Sequence, residues 1–232
     1  LSIIFPEYII KRMDYDTTRK KNAYQDIIED FQQLKINILV GTQMIAKGLD
    51  YENVSLVGII DADNMLNFPD FRSHERAFQL MSQVSGRAGR KGNQGIVVLQ
   101  TYNPDQEIIN HVKSHSFSKF YNLQLRERAI FNYPPFSRLI IIKFRHTDHF
   151  VVDSVSEIFA SIMKESFKHR VLGPEYPIVS KVRNYFIKNV LLKVELGKSF
   201  SKAKEIISAI IKHMKENKIL NRCVVQIDID PN

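Results

Sequence analysis

The 232-residue chain has little of what marks secreted, metal-binding or membrane proteins. It contains one cysteine, Cys223, and no tryptophan, so an intramolecular disulfide and a cysteine-rich zinc site are both excluded. The seven histidines are scattered, and we predict no metal site. No apolar run approaches the ~20 residues that a membrane helix needs. We therefore expect a cytoplasmic protein that does not contact membranes.

Two further absences concern the ends of the chain and its nucleotide chemistry. The sequence begins with Leu-Ser-Ile-Ile-Phe-Pro, without methionine and inside apolar sequence, so we expect it to be a piece of a longer protein. It has no GxxxxGK[ST] phosphate loop, the segment that holds the phosphates of a nucleotide in many hydrolases. By itself the chain is therefore not expected to hydrolyse ATP.

Charge is unevenly distributed along the chain. Residues 105–232 hold 21 Lys and Arg against 13 Asp and Glu, a net charge of +8, which equals the net charge of the whole chain. The first 104 residues are therefore neutral. A basic second half favours an acidic partner such as nucleic acid or an acidic peptide, although many lysine-rich helices are only solvated faces.

The first half of the sequence has the pattern of an α/β domain. Apolar runs of strand length alternate with segments of helical periodicity, which predicts a parallel sheet covered by helices on both sides. The predicted strands are residues 8–13, 36–40, 54–60 and 95–101, and the predicted helices are 22–34 and 73–85. Ligands of such sheets bind beyond the carboxyl ends of the strands.

The octet QVSGRAGR, residues 83–90, follows the second of these helices. Gln83, Arg87 and Arg90 would share one face if the helix continued through them. Gly86 would allow a ligand or another backbone to approach closely. Two guanidinium groups on one edge suit a polyphosphate, and one of them could act as an arginine finger. The alternative is a basic helix end that complements the helix dipole.

A second candidate segment is the loop GTQMIAKGLD, residues 41–50, after the strand 36–40. Thr42 is a candidate helix N-cap next to free backbone N–H groups that could bind a phosphate. Lys47 adds positive charge, Gly48 permits close approach, and Asp50 could accept a hydrogen bond from a ribose hydroxyl. A structural turn is the alternative.

The loop 41–50 resembles motif V of superfamily-two helicases, and the octet 83–90 resembles motif VI. The two motifs come in the order found in those helicases and lie about 40 residues apart. Further stretches resemble the primosomal protein N′ family of replication-restart helicases within that superfamily. These are Asp14-Tyr-Asp-Thr-Thr, Asp70-Phe-Arg-Ser-x-Glu-Arg, Val98-Leu-Gln-Thr, Tyr133-Pro-Pro-Phe and Ile229-Asp-Pro. The resemblance extends from about residue 13 to the end of the chain. It implies the second RecA-like helicase lobe, residues 1–104, followed by a connecting helix and a C-terminal domain, residues 105–232.

The resemblance also implies roles for the candidate residues. Arg87 and Arg90 would be catalytic, and Gln83, Gly86, Gly48 and Asp50 would bind ATP with Mg²⁺ in the full-length protein. Thr42, Gln43 and Lys47 would contact the DNA backbone. The zinc-binding cysteines of the family would lie upstream. The implied partners are branched or fork DNA, single-stranded DNA, single-stranded DNA-binding protein and other primosome proteins.

The second half is predicted to fold in the order strand, helix, strand, strand, helix, strand, which is the split βαβ arrangement of ferredoxin-like folds. Within it, Lys181 and Arg183 lie beside aromatic residues and are candidates for binding nucleic acid through charge and base stacking. A solvated hairpin edge, protected from aggregation by its charges, is about as consistent with the sequence.

The leading hypothesis is thus the C-terminal part of an ATP-dependent 3′-to-5′ DNA helicase that recognises stalled or branched forks and restarts replication. Two alternatives remain open. The chain could be a non-catalytic module, binding nucleic acid or protein, that keeps helicase-like sequence, or it could belong to another superfamily-two DNA helicase.

Overall fold

The computed structural model describes residues 1–19, 22–46, 54–86, 95–220 and 223–231. The chain divides into two compact units, Leu1–Gln124 and Leu125–Asn232. The boundary lies inside a helix rather than after residue 104, because the segment after residue 104 contributes Ile108, Ile109, Val112 and Phe120 to the apolar core of the first unit. The connecting segment, for which the sequence allows one long helix or two, forms two helices.

The first unit alternates short strands with helices, as the sequence predicts. Its elements are β1 (Ile10–Met13), α1 (Ala23–Gln32), β2 (Ile38–Gly41), α2 (Gln43–Ala46), β3 (Leu56–Ile59), α3 (Ala62–Leu66), α4 (Ser73–Ser85), β4 (Ile96–Leu99), α5 (Glu107–Lys113) and α6 (Phe117–Ile130), which crosses into the second unit. Strand β1 pairs with β2, and β3 pairs with β4, both in parallel. The predicted parallel pairing is confirmed, although the described strands form two two-stranded sheets.

The strands of the first unit are less buried than their sequences predict. Leu56 and Ile96, which are paired in register, are 59% and 61% exposed. Residues on the opposite face of these strands, Ile59 and Leu99, pack against a cluster formed by α3, α4, α5 and α6. Strands β3 and β4 therefore each bury one face, whereas their near-continuous apolar runs predict strands that are buried on both faces.

The second unit has the predicted ferredoxin-like fold. It consists of β5 (Ser137–His146), α7 (His149–Phe167), β6 (Val171–Glu175), β7 (Lys181–Val182), β8 (Tyr185–Glu195), α8 (Phe200–Glu216) and β9 (Val224–Ile229). The sheet order is β6-β8-β5-β9 with antiparallel neighbours throughout, and the short β7 pairs with β8. Without β7, this is the strand order of the split βαβ arrangement.

The helices of the second unit cover one face of its sheet. Alternate residues of β5 and β8, such as Ile142, Phe144 and Leu192, are fully buried against α7 and α8. Asp148 caps α7 by accepting a hydrogen bond from the Phe150 N–H (2.9 Å), and Ser199 caps α8 by accepting from the Lys202 N–H (3.2 Å). The caps and the amphipathic periodicity explain why both helices begin where the sequence predicts.

Among the described residues, no helix combines the length and the apolar character needed to cross a membrane.

Candidate functional site

The carboxyl ends of β1 and β2 bring two polar segments side by side. Met13 and Gly41 are partners in the parallel register, so the turn that begins at Asp14 lies beside the loop that begins at Thr42. The Asp14 carboxylate accepts a hydrogen bond from the Thr17 N–H (2.9 Å) and pairs with Arg12. The Thr17 hydrogen bond is the main cause that holds the pKa of Asp14 below its usual value. These contacts fix the turn, and Thr17 and Arg12 already engage its carboxylate.

Gly41 is required by the close approach of these two strands. A Cβ atom at this position would lie 2.2 Å from the Met13 carbonyl oxygen and 2.5 Å from Ile45 Cδ1. The Thr42 carbonyl accepts from the Ile45 N–H (3.1 Å) as the chain enters α2. Thr42 and Gln43 are both exposed, at the sheet edge where the sequence placed them. Lys47, Gly48 and Asp50 lie outside the described residues.

Helix α4 carries the start of the arginine-rich octet. It spans Ser73–Ser85, as predicted, and it lies against α2, so the described parts of the two candidate segments belong to neighbouring elements. Gln83 is exposed in the last turn of α4, and the Gly86 N–H donates to the Ser82 carbonyl (3.1 Å). Arg87 and Arg90 lie outside the described residues, so their predicted roles stay predictions.

The glycine at position 86 is not explained by local packing. Its φ is −71°, and an added Cβ would approach the Ser82 and Gln83 carbonyl oxygens no closer than 3.5 Å. Alanine would fit this backbone without strain. Gly41 is required by close contacts, whereas no contact with a described residue requires a glycine at position 86. The missing side chain of Gly86 leaves space beside the end of α4.

In the second unit, Lys181 and Arg183 lie on a tight hairpin between β7 and β8. The two-residue loop is Arg183-Asn184, with φ values of +47° and +66°. Two positive φ values identify a type I′ turn, in which glycine or asparagine is preferred at both positions. Arginine in this conformation carries a backbone cost, and its side chain is exposed at the tip of the hairpin.

The strand register adds residues that sequence reasoning missed. On the helix-covered side, the Lys181 ammonium lies 4.7 Å from the centre of the Phe186 ring, and the His149 ring lies 5.6 Å from the same ring. On the opposite side, the Arg145 guanidinium lies 5.3 Å from the centre of the Tyr185 ring. Arg145 and His149 come from β5 and α7, so only the fold brings them to the hairpin. The structure thus places a cluster of cations and aromatic rings at one end of the second unit.

Lys188, a third basic residue of this part of the chain, is buried. Its ammonium donates to Asp153 Oδ1 (2.7 Å) and lies 3.4 Å from Glu157 Oε1. The Tyr176 hydroxyl donates to the same Asp153 oxygen (2.8 Å). The Lys188 hydrogen bond is the main cause that lowers the pKa of Asp153, while burial and then the Asp153 carboxylate raise the pKa of Tyr176 to about 12. This network stabilises the domain, and Lys188 does not add to its external positive charge.

Comparison with known protein families places the chain in a family. Residues 4–92 match the helicase conserved C-terminal domain, and residues 129–232 match the primosomal protein N C-terminal domain. The replication restart protein PriA of Bacillus subtilis is 34% identical over all of this chain. PriA of Synechocystis is 38% identical and PriA of Treponema pallidum 39% identical, each over 82% of this chain. The chain belongs to the PriA family.

The chain spans only part of these PriA proteins, namely 29% of the Bacillus protein, 23% of the Synechocystis protein and 29% of the Treponema protein. The helicase match covers both candidate segments of the first unit, including the residues outside the described ranges. The PriA C-terminal match covers the whole ferredoxin-like sheet and therefore the hairpin with Lys181 and Arg183. Neither match assigns a role to an individual residue.

Among the described residues, no group of three or more His, Cys, Asp and Glu side chains is arranged to hold a metal ion.

Proposed function

We propose that this chain supplies the second helicase lobe and the C-terminal domain of an ATP-dependent 3′-to-5′ DNA helicase. That helicase would recognise stalled or branched replication forks and restart replication by assembling a primosome. The observation that carries the proposal is the tandem match. A helicase C-terminal domain matches residues 4–92 of the parallel-strand unit, and a primosomal protein N C-terminal domain matches residues 129–232, which contain the ferredoxin-like sheet. The names of the curated relatives, replication restart protein PriA, support the same function.

In the whole protein, ATP with Mg²⁺ would bind against the end of α4. Gln83 and Gly86, together with Arg87, Arg90, Gly48 and Asp50, would face the nucleotide. Bound ATP supplies the γ-phosphate whose hydrolysis drives the motor. The exposure of Gln83 and the space beside Gly86 fit this arrangement, because a glycine that its own backbone does not need suits the approach of a ligand. Arg87 and Arg90 would neutralise the charge that develops on the γ-phosphate.

The DNA would be held at two places on this chain. Thr42, Gln43 and Lys47 would contact the backbone of the translocated strand, and the exposure of Thr42 and Gln43 at the sheet edge supports this. Lys181 and Arg183 would contact phosphates from the hairpin of the second unit. The contact between α2 and α4 would couple the first DNA contact to the nucleotide site, so that nucleotide binding and release change the grip on the strand.

Partner proteins follow from the same proposal. We expect single-stranded DNA-binding protein and other primosome proteins to bind the whole helicase, and we expect its zinc to lie in parts outside this chain. No described residue can be assigned to these partners.

The deciding experiment uses the whole protein with Arg87→Ala or Arg90→Ala. Each substitution should lower ATPase activity by about a thousandfold, the low end for an arginine finger, while binding to a model fork changes little. A matched control is Lys212→Ala, which removes an exposed cation from α8 and should leave both properties unchanged. Loss of fork binding with normal ATPase activity would contradict the assignment.

A further inference from the structure

The sheet of the second unit has one face that its helices do not cover. Because side chains alternate along a strand, residues flanking the buried Phe144 and Val190 point to this open face. At the hairpin end of this face, one row of residues crosses β7, β8, β5 and β9. Val182 pairs with Tyr185, and Arg145 pairs with Val224. Arg145 lies next to Tyr185 on the adjacent strand. We call these four residues the Tyr185 row.

The Tyr185 row is accessible and carries one cation, Arg145. Val182, Tyr185 and Val224 are 39%, 37% and 50% exposed. The planar Arg145 guanidinium lies beside the Tyr185 ring, and Arg183 extends from the turn at the end of the row. On the same face, the Asp228 carboxylate is held by Lys143 (2.8 Å), so it does not neutralise Arg145. An aromatic ring and a guanidinium plane are the surfaces on which proteins stack unpaired bases.

Two polar atoms on this face have no hydrogen-bond partner among the described residues. They are Arg145 Nε and Asn189 Oδ1, and both are buried. They lie on adjacent strands, since Arg145 pairs with Ile187 and Asn189 follows two residues later on the same face. A buried donor and a buried acceptor left unpaired cost free energy. Both atoms are shielded from solvent, so a ligand at this face meets the exposed Tyr185 ring and the guanidinium plane rather than these two atoms.

We infer that the Tyr185 row binds an unpaired nucleic-acid base, which stacks beside Tyr185 and Arg145 while Arg183 holds an adjoining phosphate. Duplex DNA would not bind in this way, because both faces of each internal base are covered by its neighbours. The inference rests on the proposed DNA-binding function and adds which part of a fork this domain contacts, namely a single strand rather than a duplex arm.

The test compares three labelled ligands of about 15 nucleotides, a length suited to one small domain. They are oligo(dT), an abasic strand that has the phosphates without the bases, and a blunt duplex. Affinities of the 232-residue chain are measured by fluorescence anisotropy at one fixed salt concentration. The chain should bind oligo(dT) at least about fivefold more tightly than the abasic strand, the low end for stacking of one base.

Variants separate stacking from charge. Tyr185→Ala should reduce the ratio of oligo(dT) to abasic affinity to near unity, whereas Tyr185→Phe should retain it. Arg145→Lys keeps the charge without the plane and should lower the ratio. Tyr121→Ala, which removes a 52% exposed tyrosine in the first unit, is the matched control and should leave the ratio unchanged. Thermal unfolding of each variant verifies that it is folded.

Three outcomes would overturn the inference. Equal affinity for oligo(dT) and the abasic strand would show that only phosphates are bound, with the proposed DNA contact intact. An unchanged ratio in a folded Tyr185→Ala variant would place base binding elsewhere and leave this face as a protein surface. No binding of any of the three ligands at low salt would remove both the inference and the proposed DNA contact of the second unit.

Discussion

Gly41 is the residue on which the geometry of the first candidate segment depends most directly. A methyl group there would lie within 3 Å of both the Met13 carbonyl oxygen and the Ile45 side chain. Gly41→Ala should therefore separate β1 from β2 and destabilise the first unit by about 2 kcal/mol, in the range for overpacking. Gly58→Ala is the matched control, because no atom of the described residues lies within 4 Å of the added methyl. It should be neutral or stabilising by about 0.5 kcal/mol.

Hydrogen exchange of the β2 amides measures this pair of variants. Faster exchange in Gly41→Ala with unchanged exchange in Gly58→Ala would agree with the close approach. Similar exchange in the two variants would mean that β1 and β2 can separate without cost, and Gly41 would then need another explanation.

The Lys188 network predicts how stability depends on pH. The pKa of Tyr176 is raised to about 12, first by burial and then by the Asp153 carboxylate. A group whose pKa is raised on folding stabilises the fold below its unfolded pKa of about 10, and this contribution is lost between about pH 10 and 12. The pKa of Asp153 is lowered by its partners, so its contribution is present above about pH 4 and is lost as the pH falls below that value.

Tyr176→Phe isolates the alkaline part of this dependence. At about pH 8 the variant should be less stable than the wild type by about 1 kcal/mol, a value reduced from that of a charged hydrogen bond because Tyr176 is partly exposed. The difference should disappear as the pH approaches 12. Urea unfolding at both pH values measures it, and Tyr102→Phe, at a fully exposed tyrosine, is the control. A constant difference across this range would show that the hydroxyl does not bind a carboxylate.

Among the secondary-structure elements, the hairpin between β7 and β8 allows one substitution to remove a charge without disturbing the fold. Arg183 occupies a position with φ +47° where glycine is preferred. Arg183→Gly should therefore maintain or slightly stabilise the hairpin while it removes the guanidinium. DNA affinity should fall, and the slope of log affinity against log salt should decrease by about one, the effect of one lost phosphate contact.

The control for this hairpin variant is Asn184→Gly, which relaxes the same turn and leaves the charge in place. It should bind DNA as the wild type does. If Arg183→Gly leaves both affinity and salt slope unchanged, the exposed arginine is only a solvated charge of a hairpin edge, the alternative that the sequence left open.

The elements show what local sequence can and cannot predict. Helix α4 has the predicted bounds, because helical periodicity is a property of neighbouring residues. The environment of Lys188 was missed, because its partners Asp153 and Tyr176 lie 35 and 12 positions earlier in the chain. The approach of Arg145 to Tyr185 follows from the register of β5 and β8, and no sequence period encodes that register. Composition predicts that this half of the chain is basic, whereas strand register determines which of its cations remain available to bind a ligand.

For the whole molecule, the two units are expected to differ in stability. Among the described residues, nineteen buried side chains form the apolar cluster of the second unit, and nine form that of the first. The described core of the first unit is therefore the smaller of the two, although this unit is the longer one. Buried apolar area is the main favourable term in folding. We therefore expect the amides of the first unit to lose protection from exchange at lower urea than those of the second unit.

Two methionines with fully buried side chains test this expectation. Met81 lies in the core of the first unit and Met214 in that of the second, and both are 0% exposed. Truncation to alanine should cost about 2–5 kcal/mol at either site. Met81→Ala should advance only the first unfolding transition, and Met214→Ala only the second, when hydrogen exchange is followed through a urea series. If either substitution shifts both transitions together, the two cores unfold as one cooperative unit. If the second unit binds a fork as proposed, mutation can weaken an independently unfolding first unit while that proposed contact persists. The two variants should therefore also differ in fork binding at intermediate urea, where only Met81→Ala retains it.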